Sequence, residues 1–272
     1  MQKFSYHTHT NSFGLFDGRN SAKEMIKKAE EIGYVELGIS NHICCHHNYP
    51  QFSPMFFNDY RQAEDVYKRV TEEIRTEALS SKIKIYVGFE VDYFPDLIWQ
   101  RHFEKMIEHL QPDYLIGSTH TLCESDFGKI YNLYDKNKLA AEKIKELLPN
   151  YWRNVVATIQ SGYFDIIGHI DLLKIFGLCR GPEWRESKQM VIEALASAKQ
   201  VYELNTSGWR KAGEQHPERW MLEELNRRNI PVVISDDAHS TEMLAQYFPE
   251  AETLLESLSY ENRWSMNLKS SK

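Results

Sequence analysis

The chain alternates between short apolar runs and longer stretches with helical spacing, and this alternation restricts the fold more than any other feature. Seven runs rich in β-branched and aromatic residues occur, at residues 4–6, 35–39, 83–87, 114–116, 164–167, 201–204 and 232–234. Seven strand–helix units in series predict a parallel sheet with helices outside it. Seven such units favour a closed or nearly closed α/β barrel related to the eight-unit barrel, with a doubly wound open sheet as the alternative.

The stretches between these runs have the spacing of amphipathic helices. Helices are predicted at residues 22–32, 58–79, 96–110, 138–161, 187–199 and 217–228, with one or two more before the end of the chain. Ser21 is the expected N-cap of the first of these, and Gly33 ends it. Pro149 is expected to break or kink the long helix that contains it.

Length and charge limit the possible functions. The 272 residues suit a single catalytic domain over 1–272, and 42% apolar and 26% charged residues are ordinary values for a globular enzyme. The net charge is −7 and the basic residues are scattered, so a nucleic-acid partner is not expected. A small anionic substrate remains compatible, because bound metal ions can outweigh the global charge.

The N-terminal residues, the apolar stretches and the cysteines indicate the cellular location. Residues 1–7 contain no apolar run of the signal-peptide kind, and no stretch approaches the length of a membrane span. The four cysteines, at positions 44, 45, 123 and 179, do not form a disulfide framework. We therefore expect a cytoplasmic protein without a membrane partner. The oligomeric state is left open.

Histidine and acidic residues recur at the same position, just after each of the apolar runs. His7 and His9 follow the first run, and Asp237 and His239 follow the last. Between them come His42, Glu90, His120, His169 and Asn205, each directly after a run or a few residues beyond it. Six of the 11 histidines therefore occupy one structural position. In a parallel barrel all these strand ends lie on one face, where their side chains converge.

This set of side chains predicts a metal centre. Any one histidine after a strand is more often a loop residue or a hydrogen-bonding group than a ligand, but seven occurrences in phase favour ligation. Side chains two residues apart in a strand point the same way, so His7 and His9 can hold one ion together. The ligands exceed the needs of one tetrahedral ion. We expect two or three divalent ions (zinc, iron or manganese), with Glu90 and Asp237 as bridges.

The same residues resemble the PHP (polymerase and histidinol phosphatase) family. The matching segments span nearly the whole chain in the family's order: His7-Thr8-His9, Ile39-Ser40-Asn41-His42, Gly88-Phe89-Glu90, Gly117-Ser118-Thr119-His120, Ile167-Gly168-His169-Ile170-Asp171 and Ser235-Asp236-Asp237-Ala238-His239. The resemblance implies a distorted (β/α)7 TIM-like barrel with its metal site at the carboxyl ends of the strands.

The resemblance also implies a trinuclear site and the identity of its ligands. These would be His7, His9, Asp17, His42, Glu90, His120, His169, Asp237 and His239. Asp17 is carried over from the segment Phe16-Asp17-Gly18-Arg19, where a plain turn is an equally good interpretation. Asp236 lacks the two-residue offset from His239 and is interpreted as structural or as support for a ligand. Asp17, His42 and Asp237 are the predicted catalytic residues.

Within the family the chain is most similar to the monofunctional histidinol phosphatases, on its length and on the segments 164–169 and 203–208. The implied reaction is hydrolysis of L-histidinol phosphate to L-histidinol and phosphate in histidine biosynthesis, by attack of a metal-bridging hydroxide on phosphorus. A fixed cation should hold the phosphate, and Arg153 and Arg210 are the candidates. The donor of a proton to the leaving alcohol is left open among Asp17, a non-ligating histidine and a metal-bound water.

Three alternatives remain. A phosphoesterase of the same family could act on phosphotyrosine or a nucleotide, an amidohydrolase-like barrel could cleave C–N bonds, and a non-catalytic module could use metal only for stability. The absence of a lysine beside Glu90 argues against the second, and the surplus of ligands against the third.

Two further segments are interpreted without a role in catalysis. The run Cys44-Cys45-His46-His47 lacks the spacing of a zinc finger, and the aromatic-rich loop after it (Tyr49, Phe52, Met55, Phe56 and Phe57) is interpreted as core beneath a long loop rather than a substrate-stacking surface. His102, His109 and His216 are expected at the surface.

Overall fold

Parallel strands and peripheral helices alternate along the chain, as the apolar pattern predicts. The computed structural model describes residues 1–50 and 53–269. The strands are β1 Phe4–Ser5, β2 Glu36–Ile39, β3 His42–Cys45, β4 Phe56–Phe57, β5 Lys84–Asp92, β6 Tyr114–Ser118, β7 Thr121–Cys123, β8 Ile130–Asn132, β9 Ile166–Ile167, β10 Val201–Asn205 and β11 Val232–Ser235. The helices are α1 Ser12–Leu15, α2 Ala22–Glu31, α3 Tyr60–Ala78, α4 Leu97–Leu110, α5 Ala141–Gln160, α6 Arg185–Ala198, α7 Ser207–Ala212, α8 Arg219–Arg227, α9 Phe248–Ser257 and α10 Met266–Lys269.

The seven predicted strands form one parallel sheet. Its order is β1-β2-β5-β6-β9-β10-β11. In addition, β3 pairs with β5, and β4 pairs with β3. The segment after β11 returns to the segment after β1, since the His9 amide donates to the Ala238 carbonyl (2.8 Å) and the Ala238 amide donates to the His7 carbonyl (3.2 Å). The sheet is thus nearly closed, and the prediction of a distorted (β/α)7 barrel is confirmed.

Local signals set the helix boundaries. The Ser21 hydroxyl accepts from the Glu24 amide and the Glu24 carboxylate accepts from the Ser21 amide, which is a complete capping box for α2. Gly33 follows α2 with a positive φ of 79°, as predicted. Of the predicted break or kink at Pro149, the break is wrong, because α5 continues through this residue, and the kink stays a prediction. Buried Leu148, Tyr151 and Trp152 on both sides hold the helix against its neighbours despite the missing hydrogen bond.

Apolar side chains fill both the barrel and the layer outside it. Inside the barrel, eight buried residues pack together: Tyr6, Tyr86, Tyr114, Ile116, Ile166, Val201, Val233 and Met266. A larger apolar layer lies between the strands and the helices. None of the described helices is long and apolar enough to cross a membrane. The extension of one catalytic domain over 1–272 stays a prediction.

The Tyr114 ring needs two glycines beside it. A Cβ built on Gly88 would lie 2.2 Å from Tyr114 Cζ, and one on Gly38 would lie 2.3 Å from its hydroxyl oxygen. Because the ring is 1% exposed, it has no free space to move into. We expect Gly88→Ala to lower the free energy of unfolding by about 1–3 kcal/mol through overpacking. Thermal and urea unfolding of the purified variant measure this.

The matched control for that prediction is Gly128→Ala. The nearest atom to a Cβ on Gly128 is the carboxylate oxygen of Asp126 at 3.1 Å, and this exposed side chain can move away. We expect a change within about 0.5 kcal/mol for the control. Equal melting temperatures for the two variants would show that the barrel accommodates the extra methyl group.

Candidate metal centre

The residues predicted as ligands come together at the carboxyl ends of the strands. His7 and His9 follow β1, His42 begins β3, and Glu90 lies near the end of β5. His120, His169, Asp237 and His239 follow β6, β9 and β11. Asp237 has a positive φ of 48°, a conformation that Asp tolerates better than most residues and that is concentrated at functional sites.

Glu90 lies at the centre of this cluster. Its carboxylate is 1% exposed and faces five imidazoles. The imidazole contacts of Oε2 are His42 Nδ1 at 3.0 Å, His7 Nε2 at 3.2 Å and His9 Nε2 at 3.5 Å, and those of Oε1 are His169 Nε2 at 2.9 Å and His120 Nε2 at 3.3 Å. The two oxygens of the Glu90 carboxylate therefore contact two different sets of imidazoles.

Three overlapping groups have the composition and spacing of metal sites. They are His9–Asp17–His42–His239, His7–His9–Glu90 and His42–Glu90–His120, and within each group the ligand atoms lie within 4.8 Å of one another. Asp17 Oδ2 approaches His239 Nε2 at 3.1 Å and His42 Nε2 at 3.5 Å, so the structure brings this residue to the cluster. Asp237 Oδ1 lies 3.3 Å from His9 Nε2 and 3.7 Å from His7 Nε2.

Unsatisfied polar atoms show that these residues fit divalent cations. His7 Nε2, both ring nitrogens of His9, His42 Nδ1 and Glu90 Oε2 are buried and have no hydrogen-bond partner. Buried polar atoms without a partner are costly and rare in native proteins. His7 Nε2, His9 Nε2 and His42 Nδ1 all lie within 3.5 Å of Glu90 Oε2, and imidazole and carboxylate are the ligands that zinc, iron and manganese prefer. Divalent cations at the centre would satisfy these atoms.

The local charges favour positive charge at the centre. Burial opposes ionisation of Glu90, but His7, His120 and His42 hold its pKa well below the ordinary value. Burial likewise opposes a proton on His7, yet the carboxylates of Glu203, Glu90 and Asp237 raise its pKa. By contrast, burial beside His239 and His42 lowers the pKa of His9 to about 3. His9 is thus neutral, as a metal ligand must be.

Two buried carboxylates behind the cluster orient its histidines, and the sequence interpretation assigned a role to neither. Glu203 Oε2 accepts from His7 Nδ1 (2.8 Å), and its Oε1 accepts from the His169 amide (2.7 Å). Asp92 Oδ1 accepts from His120 Nδ1 (3.0 Å). These bonds leave His7 Nε2 and His120 Nε2 free to face the centre, as is usual for metal-binding histidines. The position of Asp92 near the cluster could have been predicted from the sequence, because Asp92 lies two residues beyond Glu90 on the same strand.

A cavity of about 190 Å³ opens beside the cluster. Its walls away from the ligands include Met55 and Phe56 from the aromatic loop, Asn132 at the end of β8, Tyr134 just after β8, and Lys211 from α7. Lys211 Nζ donates to Asp237 Oδ2 at 3.0 Å. The loop therefore reaches the cavity as well as the core, where Tyr49 and Phe57 are buried. Phe52 lies outside the described residues.

The two arginines predicted to bind substrate lie away from this cavity. Arg210 Nη1 donates to Gln246 Oε1 at 2.6 Å, and Arg153 is exposed on α5 beside Asn150. Neither lines the cavity in the described structure. Their role stays a prediction, whereas Lys211, adjacent to Arg210, supplies the cation there.

Asp236 and His216 lie in the layer that supports the centre. Asp236 accepts from Ser5 Oγ, Tyr34 Oη and the Ala245 amide, and burial raises its pKa to about 6. The prediction of a surface position for His216 is wrong, because this residue is fully buried. Its Nδ1 bonds to Asp171 Oδ1, and its backbone pairs with that of Asn205 at the end of β10. His102 and His109 are exposed, as predicted.

A separate group of His46, His47 and Asp96 has the composition of a metal site, but the proton of the His46 ring lies on the nitrogen that a metal would need. His46 Nε2 and His47 Nε2 lie 3.3 and 3.7 Å from Asp96 Oδ2. His46 Nδ1, however, accepts from the Asn48 amide at 3.0 Å. The proton of the neutral ring is then on Nε2, which leaves no lone pair there for a metal.

Comparison with known proteins gives a consistent family. The PHP domain family matches residues 5–207. The "Probable histidinol-phosphatase" of Deinococcus radiodurans is 29% identical over 181 residues, which cover 64% of this chain and 65% of that protein. The histidinol-phosphatase of Bacillus subtilis is 25% identical over 258 residues, covering 88% of this chain and 94% of that one.

A solved structure shares the fold. The histidinol phosphate phosphatase of Lactococcus lactis, solved with zinc, L-histidinol and phosphate, superimposes with a TM-score of 0.70 at 20% identity. The match covers 96% of this chain and 95% of that one. Likeness at this level of identity concerns the barrel and its strand order.

Proposed function

The chain belongs to the PHP domain family, and we propose that it is a metal-dependent phosphomonoesterase that hydrolyses L-histidinol phosphate to L-histidinol and phosphate. The observation that carries the proposal is the convergence of unsatisfied imidazole nitrogens and carboxylate oxygens beside a small cavity that also contains the Lys211 ammonium. In this proposal the whole barrel forms the catalytic domain.

We assign the metal ligands as His7, His9, Asp17, His42, Glu90, His120, His169, Asp237 and His239. Seven of them form the three groups described above, and the other two contact members of those groups: His169 approaches Glu90, and Asp237 approaches His7 and His9. Two or three divalent ions (zinc, iron or manganese) account for three overlapping groups that share His9, His42 and Glu90. When bound, such ions polarise phosphate oxygens and lower the pKa of a coordinated water towards neutrality.

The protein's own groups orient the substrate. Lys211, held by Asp237, presents a positive charge to a phosphate group in the cavity. Asn132 offers an amide, and Met55 and Phe56 offer apolar surface for the organic half of the substrate. Drug-sized ligands occupy pockets of about 300–1,000 Å³, so a cavity of about 190 Å³ suits a small metabolite better than a phosphopeptide.

Substrate preference tests the assignment. We expect kcat/KM for L-histidinol phosphate to exceed that for p-nitrophenyl phosphate by at least about 100-fold, because a pocket built for one organic group discriminates by several kcal/mol. The measurement is made on zinc- or manganese-loaded protein, with chelator-treated protein as the control. Equally slow turnover of both esters would retain the phosphoesterase chemistry and exclude histidinol phosphate as the preferred substrate.

A further inference from the structure

Tyr134 is an exposed residue whose position is nevertheless fixed. It lies in the short 3₁₀ helix Leu133–Lys138, where the Asn132 side chain accepts from its amide at 2.9 Å. Its neighbour Leu133 is fully buried and donates its amide to the His120 carbonyl at 3.1 Å. The Tyr134 ring packs edge-on against Phe176, with centroids 5.1 Å apart. Both backbone and ring are therefore anchored beside the metal centre.

Tyr134 lines the cavity, although the residue as a whole is 56% exposed. The charged groups that act on this hydroxyl are Lys211, His120, Asp237 and Glu90, all of which line the same cavity. Burial of the hydroxyl raises the pKa of Tyr134, so the phenol keeps its proton near neutral pH. The exposed side of the ring leaves a route by which solvent can return a proton.

Hydrolysis of an alkyl phosphate leaves an alkoxide that needs a proton. The histidines and carboxylates lining the cavity are assigned to the metal ions, and Lys211 is bonded to Asp237. The thiol of Cys44 points to Asp92, and the hydroxyl of Ser53 is as weak an acid as the leaving alcohol itself. A phenol is more acidic by several pKa units.

We propose that the Tyr134 hydroxyl donates this proton, an inference that rests on the proposed phosphomonoesterase activity. As the oxygen of the attacking water bonds to phosphorus, the bond from phosphorus to the ester oxygen breaks. Its electron pair stays on the ester oxygen, which takes the phenolic proton. The alcohol leaves neutral. Lys211, which lines the same cavity, supplies a positive charge that stabilises the tyrosinate until water protonates it again.

The test compares esters that differ in their need for a proton. Tyr134→Phe is assayed with L-histidinol phosphate and with p-nitrophenyl phosphate, whose phenolate leaves without protonation. We expect kcat for the alkyl ester to fall by about 100-fold or more, the usual contribution of a general acid, and kcat for the aryl ester to change by less than about threefold. Tyr131→Phe is the matched control, since this residue lies in β8 outside the cavity, and it should affect neither ester.

Binding of inorganic phosphate gives a second readout. Titration calorimetry should show equal phosphate affinity for the wild type and Tyr134→Phe, because the hydroxyl acts on the leaving oxygen. Equal losses on both esters, no loss on either, or a matching loss of phosphate affinity would overturn the role of Tyr134. If the wild-type enzyme hydrolysed neither ester, the phosphatase proposal itself would fail, and the proton donor with it.

Discussion

Replacement of Glu90 by alanine should remove at least one metal ion per chain and lower kcat/KM by more than about 100-fold. The expectation follows from its central position, where five imidazoles face one buried carboxylate. Loss of a residue that only supports a ligand typically costs 10–100-fold in metal affinity or activity, so loss of a shared ligand should cost more. Metal content by mass spectrometry and steady-state kinetics measure the two effects.

Two further variants make the Glu90 result specific. Glu90→Gln keeps the size of the side chain but loses its charge, and we expect it to lose metal nearly as completely as alanine. Glu108→Ala removes an exposed carboxylate from α4 and should leave both metal content and kinetics unchanged. A Glu90→Ala protein with its full metal content would show that the histidines hold the ions without this carboxylate.

The architecture was predictable because one physical rule covers the whole chain. Each strand of a parallel barrel is buried on both faces and therefore appears as a short apolar run, and each following helix has an apolar face at a period of 3.6 residues. The carboxyl ends of all the parallel strands lie on one face of the barrel. For this reason His42, Glu90 and His120 could be placed together although they are far apart in sequence.

Features that depend on side-chain direction were not predictable. Arg210 and Lys211 are adjacent, and only the orientation of α7 brings Lys211 to Asp237 and Arg210 to Gln246. Tyr134 reaches the cavity because the β7–β8 hairpin, which the apolar pattern did not reveal, positions the turn after it. His216 is buried through a return of the chain beneath β10 that follows no periodic signal.

Removal of the metal ions should also destabilise the folded protein. Each ion that binds only the native state adds about 2.7 kcal/mol when its concentration is 100 times its Kd. The buried atoms of His7, His9 and Glu90 that have no partner would again be left unsatisfied after chelation. For a domain of this size 1 kcal/mol corresponds to about 2–4 °C, so two or more ions predict a fall in Tm of at least about 10 °C.

Calorimetry with and without a chelator tests this, and the Glu90→Ala variant provides its internal control. Because that variant should already lack at least one ion, the chelator should lower its Tm by less than in the wild type. Addition of zinc should restore Tm and activity of the wild type together, since the same ligands serve stability and catalysis. An unchanged Tm with full loss of activity would instead mean that the strands hold the imidazoles in place without the ions, and that the cost of the unsatisfied atoms is met by water entering the cavity.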